Sequence, residues 1–219
     1  ALVLVPMGVR SLPEPVITVE AKAAPRIKFR EWQLAFIGLV YLMLFLVNIA
    51  FFFVPTQIPF YVSSLGYEGA QISGFALSAS SLGIALGSLL YHPIRSRVRQ
   101  AASTFVPAAF LVVVGFGIVS MGDTLWLVMP GLLLAGLGFG VVNVNGIVWA
   151  MEGTPAPIRG RVIGGLTSSM MLGHFSSPLV SQPIAQAWGL SYVFVFGVGL
   201  LGVIGVVFAA NAIRSRPAS

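Results

Sequence analysis

The sequence contains no cysteine and few charged residues. Cysteine is absent from all 219 positions, which excludes disulfide bonds, thiolate metal sites and cysteine nucleophiles. Charged residues make up 8% of the chain, against roughly 25% in an ordinary soluble domain. Hydrophobic residues make up 57%, and the mean hydropathy is +0.96. A chain of this length cannot hide so much apolar surface from water, so the composition indicates an integral membrane protein.

The net charge of +6 is explained better by membrane topology than by nucleic-acid binding. Basic residues that bind DNA or RNA cluster on one folded surface, whereas here they occur in short tracts between apolar runs. We therefore predict no nucleic-acid partner. A secretory signal peptide is not indicated either, because the first residues do not combine a basic leader with an apolar core and a cleavage site.

Six apolar runs follow a short polar segment. Residues 1–9 are apolar but far shorter than the roughly 20 residues that cross a bilayer, so we interpret them as the end of a preceding transmembrane helix. Residues 10–31 contain three prolines and many charges and predict a cytoplasmic linker. Residues 32–213 form the predicted transmembrane unit, and 214–219 a cytoplasmic tail. Because lipid cannot satisfy backbone groups, each run is predicted to be a helix. The runs lie at 32–61, 70–92, 101–121, 125–150, 161–184 and 190–212.

All twelve basic residues fall on one side of a six-helix bundle. The opposite connections contain only Glu68 and Asp123. Since cytoplasmic loops carry the excess of Lys and Arg, this pattern predicts a cytoplasmic linker and C-terminus and an even number of spans. The protein is predicted to be a multi-pass protein of the cell inner (plasma) membrane. The basic residues are Arg10, Lys22, Arg26, Lys28, Arg30, Arg95, Arg97, Arg99, Arg159, Arg161, Arg214 and Arg216.

The six runs form two similar triplets. The first and fourth carry amides, the second and fifth are rich in small residues, and the third and sixth are almost purely apolar. Because three is an odd number, the triplets must cross the membrane in opposite senses, as in transporters built from inverted repeats. The small-residue stripes, which let helices approach closely, consist of Ser73, Ala76, Ser80, Gly83 and Gly87 in the second run and Gly165, Ser169, Gly173, Ser177 and Ser181 in the fifth.

The amide-bearing runs supply the candidate lining of a central substrate path. One face of the first run carries aromatic side chains and an amide at spacings of three or four, which indicates either helix packing or a ligand surface. Pro55 and Pro59 predict a kink or break near its outer end. In the fourth run the two asparagines lie about 200° apart and cannot both face one cavity. The substrate-path candidates are Tyr41, Phe45, Asn48, Phe52, Gln57, Asn143 and Asn145.

His174 stands in the middle of the fifth run, where an ionisable side chain is a functional candidate. It could take part in proton coupling, or it could hydrogen bond a neighbouring helix as a neutral side chain. No carboxylate lies within any of the six runs. A protonatable acid, if the protein has one, is therefore expected outside this part of the molecule.

The predicted cytoplasmic connections resemble those of one transporter family. Glu152, Pro155, Arg159 and Gly160 resemble the Glu, Pro, Arg-Gly pattern between the tenth and eleventh helices of the major facilitator superfamily. The segment after the second run is similar to the second copy of that family's glycine, aspartate, arginine motif, with Ser96 where the family has aspartate and Arg99 where it has glycine. The residues of this second motif are Gly83, Gly87, Pro93, Arg95, Ser96 and Arg97.

The resemblance extends over about residues 1–214, and the run from Gly136 to Pro183 looks most like the drug and metabolite efflux branch. It implies an all-α membrane protein, the C-terminal six-helix half of a major facilitator fold, whose missing N-terminal half meets the second and fifth helices while the third and sixth face lipid. It also implies proton-coupled efflux of a small molecule by alternating access. The residues implied to form an intracellular gate are Gly87, Arg97, Glu152, Arg159 and Gly160.

Two alternatives remain open at this point. One is an uptake carrier of the same superfamily. The other is a six-span intramembrane serine protease, for which Ser73 and Gly74 supply only part of the required motif and His174 has no catalytic pattern around it. We predict no enzymatic activity, no catalytic residue, no cofactor and no metal. The expected partners are membrane lipid, a small-molecule substrate, protons and the N-terminal half.

Overall fold

The computed structural model describes residues 31–97, 101–152 and 154–214, with side chains for 34–97, 103–152 and 154–210. The predicted preceding helix end at 1–9 and nearly all of the linker at 10–31 lie outside the described residues. The same is true of Arg99 and of the tail beyond Arg214.

The described chain is all helical, which confirms the predicted fold class. It consists of six long helices and a short 3₁₀ turn, Ala156–Ile158, before the fifth helix. Gly189 alone joins the last two helices, and its φ of 106° lies in the left-handed region that glycine adopts readily. The helices are α1 (Glu31–Ser64), α2 (Ala70–Arg97), α3 (Ala101–Met121), α4 (Leu125–Glu152), α5 (Arg159–Trp188) and α6 (Leu190–Arg214).

Five of the six described helices are long and apolar enough to cross a membrane. The exception is α5, which is 30 residues long but rich in glycine and serine and contains His174. The sequence predicted six spans. α5 is less apolar because of its glycines and polar residues, of which Ser169, His174 and Ser181 contact α1. A polar helix face covered by another helix need not meet lipid.

The helices pack in the pattern of two inverted triplets. The most extensive contacts are α2 with α4, α3 with α4, α3 with α6 and α1 with α5. In the inverted repeat α1 corresponds to α4, and α5 corresponds to α2. The α1–α5 interface therefore corresponds to the α4–α2 interface. The buried aromatic core lies between α3, α4 and α6 and includes the ring contacts of Phe105 with Trp149 and of Phe116 with Phe194.

Most residues of the small-residue stripes are buried inside this bundle. On α2, Ala76, Ser80, Gly83 and Gly87 are buried, and the two glycines lie against α4. Periodicity shows which residues share a face but not which helix covers that face, so the contact with a second half stays a prediction. On α5 the buried stripe residues are Gly173, Ser177 and Ser181.

Candidate functional site

Polar contacts join α1 to α5 at three levels, and we call this interface the α1–α5 seam. At the first level the Tyr41 hydroxyl donates a hydrogen bond of 2.7 Å to the carbonyl of Val162. The Ser169 hydroxyl donates in the other direction, also at 2.7 Å, to the carbonyl of Tyr41. A Cβ on Gly165 would collide with the outer end of the Tyr41 ring, so a larger residue there would force the ring to shift.

The middle level pairs Asn48 with His174. The distance from His174 Nε2 to Asn48 Oδ1 is 2.9 Å, and Asn48 Nδ2 donates to the carbonyl of Leu44 at 2.8 Å. Asn48 is fully buried. A Cβ at Gly173 would lie 2.6 Å from the carbonyl oxygen of Phe45, so the missing side chain lets the helices approach closely enough for this contact.

Aromatic rings surround the imidazole at this level. Phe52 stacks on His174 with ring centroids 4.6 Å apart and an interplanar angle of 18°. Phe51 lies at 5.6 Å from the imidazole and also contacts Phe139 of α4, at 5.2 Å. The histidine is therefore held by one buried amide and two rings, in a position where it is partly accessible.

The third level pairs Gln57 with Ser181. Gln57 Nε2 donates to Ser181 Oγ at 2.7 Å, and both residues are buried. Although Pro55 and Pro59 lie here, α1 is a continuous helix through both, so the predicted break is absent. Pro55 has no N–H and leaves the carbonyl of Phe51 without its usual helical donor.

The substrate-path candidates on α1 divide into two groups in the structure. Asn48 and Gln57 are buried in the seam, where their amides link helices. Tyr41, Phe45 and Phe52 are half-buried and form the partly accessible aromatic face of α1. All five residues thus lie on α1, but the amides of Asn48 and Gln57 form contacts between helices.

The two asparagines of α4 have different environments, in agreement with their opposite positions around the helix. Asn145 is buried with 1% exposure, and Gly146 beside it lies against Leu44 of α1. Asn143 is half-buried, and its Oδ1 atom has no hydrogen-bond partner within the described protein. Asn143 lies one helical turn after Phe139, the residue that contacts Phe51.

The α2–α4 interface is built from interlocking glycines. A Cβ on Gly83 or Gly87 would collide with the carbonyl oxygens of Leu133 or Leu137, and one on Gly136 or Gly140 would collide with those of Ser80 or Ile84. The GxxxG spacing on each helix thus allows backbone contact with the other. This explains why glycine is needed at gate candidate Gly87.

An ion pair closes the end of the same interface. Arg95 Nη2 lies 3.0 Å from Glu152 Oε1 and 3.4 Å from Oε2. The family resemblance implies a group of Glu152 with Arg97 and Arg159, whereas the partner of Glu152 in the structure is Arg95. Arg159 Nε instead donates to the carbonyl of Thr154 at 3.1 Å. Gly160 is exposed, with no atom near the position of its missing Cβ.

Arg95 is the functional candidate that sequence reasoning missed. It continues a series spaced by four on α2, following Gly83, Gly87 and Tyr91, all three of which are buried. Residues at this spacing share one helix face. The signal that Arg95 points toward α4 was therefore present in the sequence.

The protease alternative is not supported by the geometry. Ser73 lies on α2 and His174 on α5, two helices that make no contact with each other among the described residues. His174 is engaged with Asn48 instead. A nucleophile and its base must lie within hydrogen-bond distance, so these two residues cannot form a catalytic pair here. In the part of the chain that the structure describes, no group of three potential metal ligands comes together.

Comparison with known proteins identifies relatives at the level of family and fold. The family model of the Major Facilitator Superfamily matches residues 1–178. The in meso crystal structure of the POT family transporter PepTSo superposes with a TM-score of 0.72 at 14% sequence identity, covering 88% of this chain and 40% of that one. The chain thus spans less than half the length of that transporter. A search of curated proteins found no significant match.

Proposed function

The chain belongs to the major facilitator superfamily, and from this we propose that it takes part in secondary active transport of a small molecule by alternating access. The superfamily consists of transporters, so the membership also argues against an enzyme. We further propose proton-coupled efflux, with the linker and C-terminus on the cytoplasmic side of the inner membrane. The positive-inside distribution of the basic residues supports that orientation.

The observation that supports transport best is the middle level of the α1–α5 seam. His174 lies in the middle of α5 and can change its charge near neutral pH, whereas the other histidine, His92, is exposed near the end of α2. His174 is held by Asn48 and adjoins the partly accessible aromatic face of α1. A polar, ionisable residue in apolar helices is costly, and such residues commonly mark a pathway for substrate or protons.

The surfaces of α2 and α5 that point away from the bundle support a second six-helix half. Exposed positions on α2 include Gly74, Ser78 and Ser81, and those on α5 include Gly164 and Thr167. Small and hydroxyl side chains suit close helix packing within a membrane. We propose that these outer faces, in place of the buried stripes, contact the second half. The 40% coverage of PepTSo is consistent with such an arrangement.

The proposed substrates are small amphipathic compounds. The aromatic face of α1 offers rings and one phenol, and the described helices carry no Asp, Glu, Lys or Arg between their ends. A site without a fixed charge does not favour a strongly charged substrate, because nothing there replaces the lost hydration.

Transport assays in membrane vesicles test this function. Inside-out vesicles are prepared from cells that express the full-length protein and from cells that carry the empty vector, and both are given a panel of fluorescent amphipathic compounds. Efflux predicts that energised vesicles with the protein accumulate at least one compound and lose it when a protonophore is added. The efflux proposal fails if intact expressing cells accumulate more of every compound, which would indicate uptake.

A further inference from the structure

The hydrogen bonds of Asn48 define which ring nitrogen of His174 carries a hydrogen. The Leu44 carbonyl accepts a hydrogen bond at 2.8 Å, so the atom of Asn48 that faces it must be the amide nitrogen. The amide oxygen then faces His174 Nε2 at 2.9 Å. Because that oxygen can only accept, Nε2 must carry a hydrogen.

The free proton-accepting atom of the imidazole is therefore Nδ1. In a neutral histidine one ring nitrogen is a donor and the other keeps a lone pair. Protonation at Nδ1 adds a second donor and leaves the bond between Nε2 and Asn48 in place. The ring can thus gain or lose a proton without separating α1 from α5.

No charged side chain faces the imidazole from the described parts of the helices packed against α5. On α1, Tyr41 is bonded to Val162 and Tyr61 lies 2.9 Å from the carbonyl of Val119. On α4, Glu152 pairs with Arg95 at the helix end. On α6, Tyr192 lies in the first turn. The groups nearest the ring are instead Phe52 and Phe51, whose π faces favour a cation modestly.

Two polar groups of α5 lie within one turn of His174. Pro178 has no N–H, so the His174 carbonyl lacks its usual helical donor. The hydroxyl of Ser177 is fully buried and has no hydrogen-bond partner within the described protein. Buried polar groups of this kind are the usual contacts of internal water, which could carry a proton to or from the ring.

We propose that His174 carries the coupling proton on Nδ1 and that Asn48 is its positioning residue, holding the ring as the Nε2–H tautomer. The ring accepts a proton from water on one side of the membrane and releases it to water on the other. This inference rests on the proposed function, because a coupling proton presupposes transport. Its first test is nonetheless independent of transport.

The first test determines the tautomer of His174 by NMR. The full-length protein is labelled with ¹⁵N-histidine, and its NMR spectrum is compared with that of His174→Gln to identify the His174 signals. At alkaline pH we expect a protonated Nε2 and an unprotonated Nδ1, and acidification should add the second proton at Nδ1. A neutral state with the hydrogen on Nδ1 would overturn the inference whether or not the protein transports anything.

The second test separates proton coupling from substrate movement in proteoliposomes. Glutamine at position 174 can still donate to Asn48 but cannot take up a proton, so His174→Gln should retain substrate exchange and lose accumulation driven by a proton gradient. The matched control is His92→Gln at an exposed position on α2, which should behave as wild type. If wild type and His174→Gln accumulate substrate equally, the inference fails and the proposed function stands. If wild type shows no proton-driven accumulation, the proposed function itself fails.

A third variant tests the role of Asn48. Asn48→Asp places a carboxylate beside Nε2, which favours the charged imidazolium, so the ring keeps its proton to higher pH. The midpoint of the transport-against-pH curve should move toward alkaline pH by about one unit or more. An unchanged midpoint in a variant that still transports would overturn the proposed coupling between Asn48 and His174.

Discussion

The α1–α5 seam and the α2–α4 interface are equivalent pairs in the inverted repeat, yet they are held together differently. Along the seam the helices are joined by side-chain hydrogen bonds at three levels, with aromatic rings around the middle one. Between α2 and α4 the contact is made by glycines that bring backbone against backbone, and an ion pair lies at the end.

This difference indicates which interface can respond to a ligand or a proton. A backbone-to-backbone contact has no side chain that could rearrange, so it fixes the distance and register of α2 and α4. The seam contains an ionisable ring and amides whose bonds can change strength. We therefore expect substitutions between α2 and α4 to act mainly on stability, and those in the middle of the seam to act on transport as well.

The largest effect is expected from adding a methyl group between α2 and α4. In Gly87→Ala the new Cβ meets the backbone of Leu137, which cannot move aside as a flexible side chain could. We expect a loss of about 1–3 kcal/mol or more in the free energy of unfolding, measured as a lower melting temperature in detergent. Gly199→Ala is the control, because nothing lies near that Cβ and α6 is expected to face lipid, away from the second half. Equal melting temperatures for the two variants would contradict the close contact.

A smaller effect is expected from removing the amide at the middle of the seam. Asn48→Leu leaves the Nε2 hydrogen of the half-buried His174 without its protein acceptor, at a cost of about 1 kcal/mol. The double-mutant cycle of Asn48→Leu with His174→Leu should give a coupling energy of about 1 kcal/mol. Additive effects of the two single substitutions would mean that the hydrogen bond contributes nothing to stability.

Two serines on the same face of α5 allow the contribution of a single hydrogen bond to stability to be measured. Ser181→Ala removes the partner of buried Gln57 and should cost about 1 kcal/mol. Ser177→Ala removes a buried hydroxyl that has no partner in the protein and for which we expect internal water instead, so the loss of stability should be smaller than in Ser181→Ala. The melting temperatures of both variants test this. An equal or larger loss in Ser177→Ala would contradict the stronger contribution expected from the bond between Gln57 and Ser181.

Sequence patterns were sufficient to predict the helices but not their pairing. The lengths of the apolar runs predicted α1 to α6, and the triplet composition predicted the inverted arrangement, because both depend on properties local to each helix. The burial of the glycine stripe of α2 against α4 depends on which helix is adjacent. Four-residue spacing defines a face of α2 but carries no information about its neighbour.

For the candidate site, the sequence predicted the residues but not the contacts between them. Asn48 and His174 each stood out as polar residues in apolar runs, but their contact requires that α1 pack on α5, which neither run specifies. The sequence explains Arg95 as one of the basic residues that set the membrane orientation, because the family motif implies gate roles for Arg97 and Arg159 instead. Its spacing from Gly87 and Tyr91 would have placed it on the face toward α4.

The smallest effect on stability is expected from the ion pair at the end of α2 and α4. The Arg95 and Glu152 side chains are 22% and 49% exposed, and ion pairs in contact with water contribute at most about 1 kcal/mol. Arg95→Gln and Glu152→Gln should therefore change the melting temperature little. If the pair is part of an intracellular gate, both variants should nevertheless change how often the aromatic face of α1 is open to the cytoplasm.

The absence of native cysteine in this chain makes that accessibility measurable. In a background with Phe45→Cys, where the native side chain is half-buried on α1, labelling by a maleimide applied from the cytoplasmic side should become faster with either Arg95→Gln or Glu152→Gln. Arg97→Gln is the matched control, because it removes a neighbouring arginine and leaves the observed pair intact. Equal acceleration by Arg97→Gln would favour the gate implied by the family resemblance, and unchanged labelling in Glu152→Gln would remove this interface from gating. In that case the α2–α4 interface would be purely structural, and its difference from the α1–α5 seam would be greater than the contacts alone indicate.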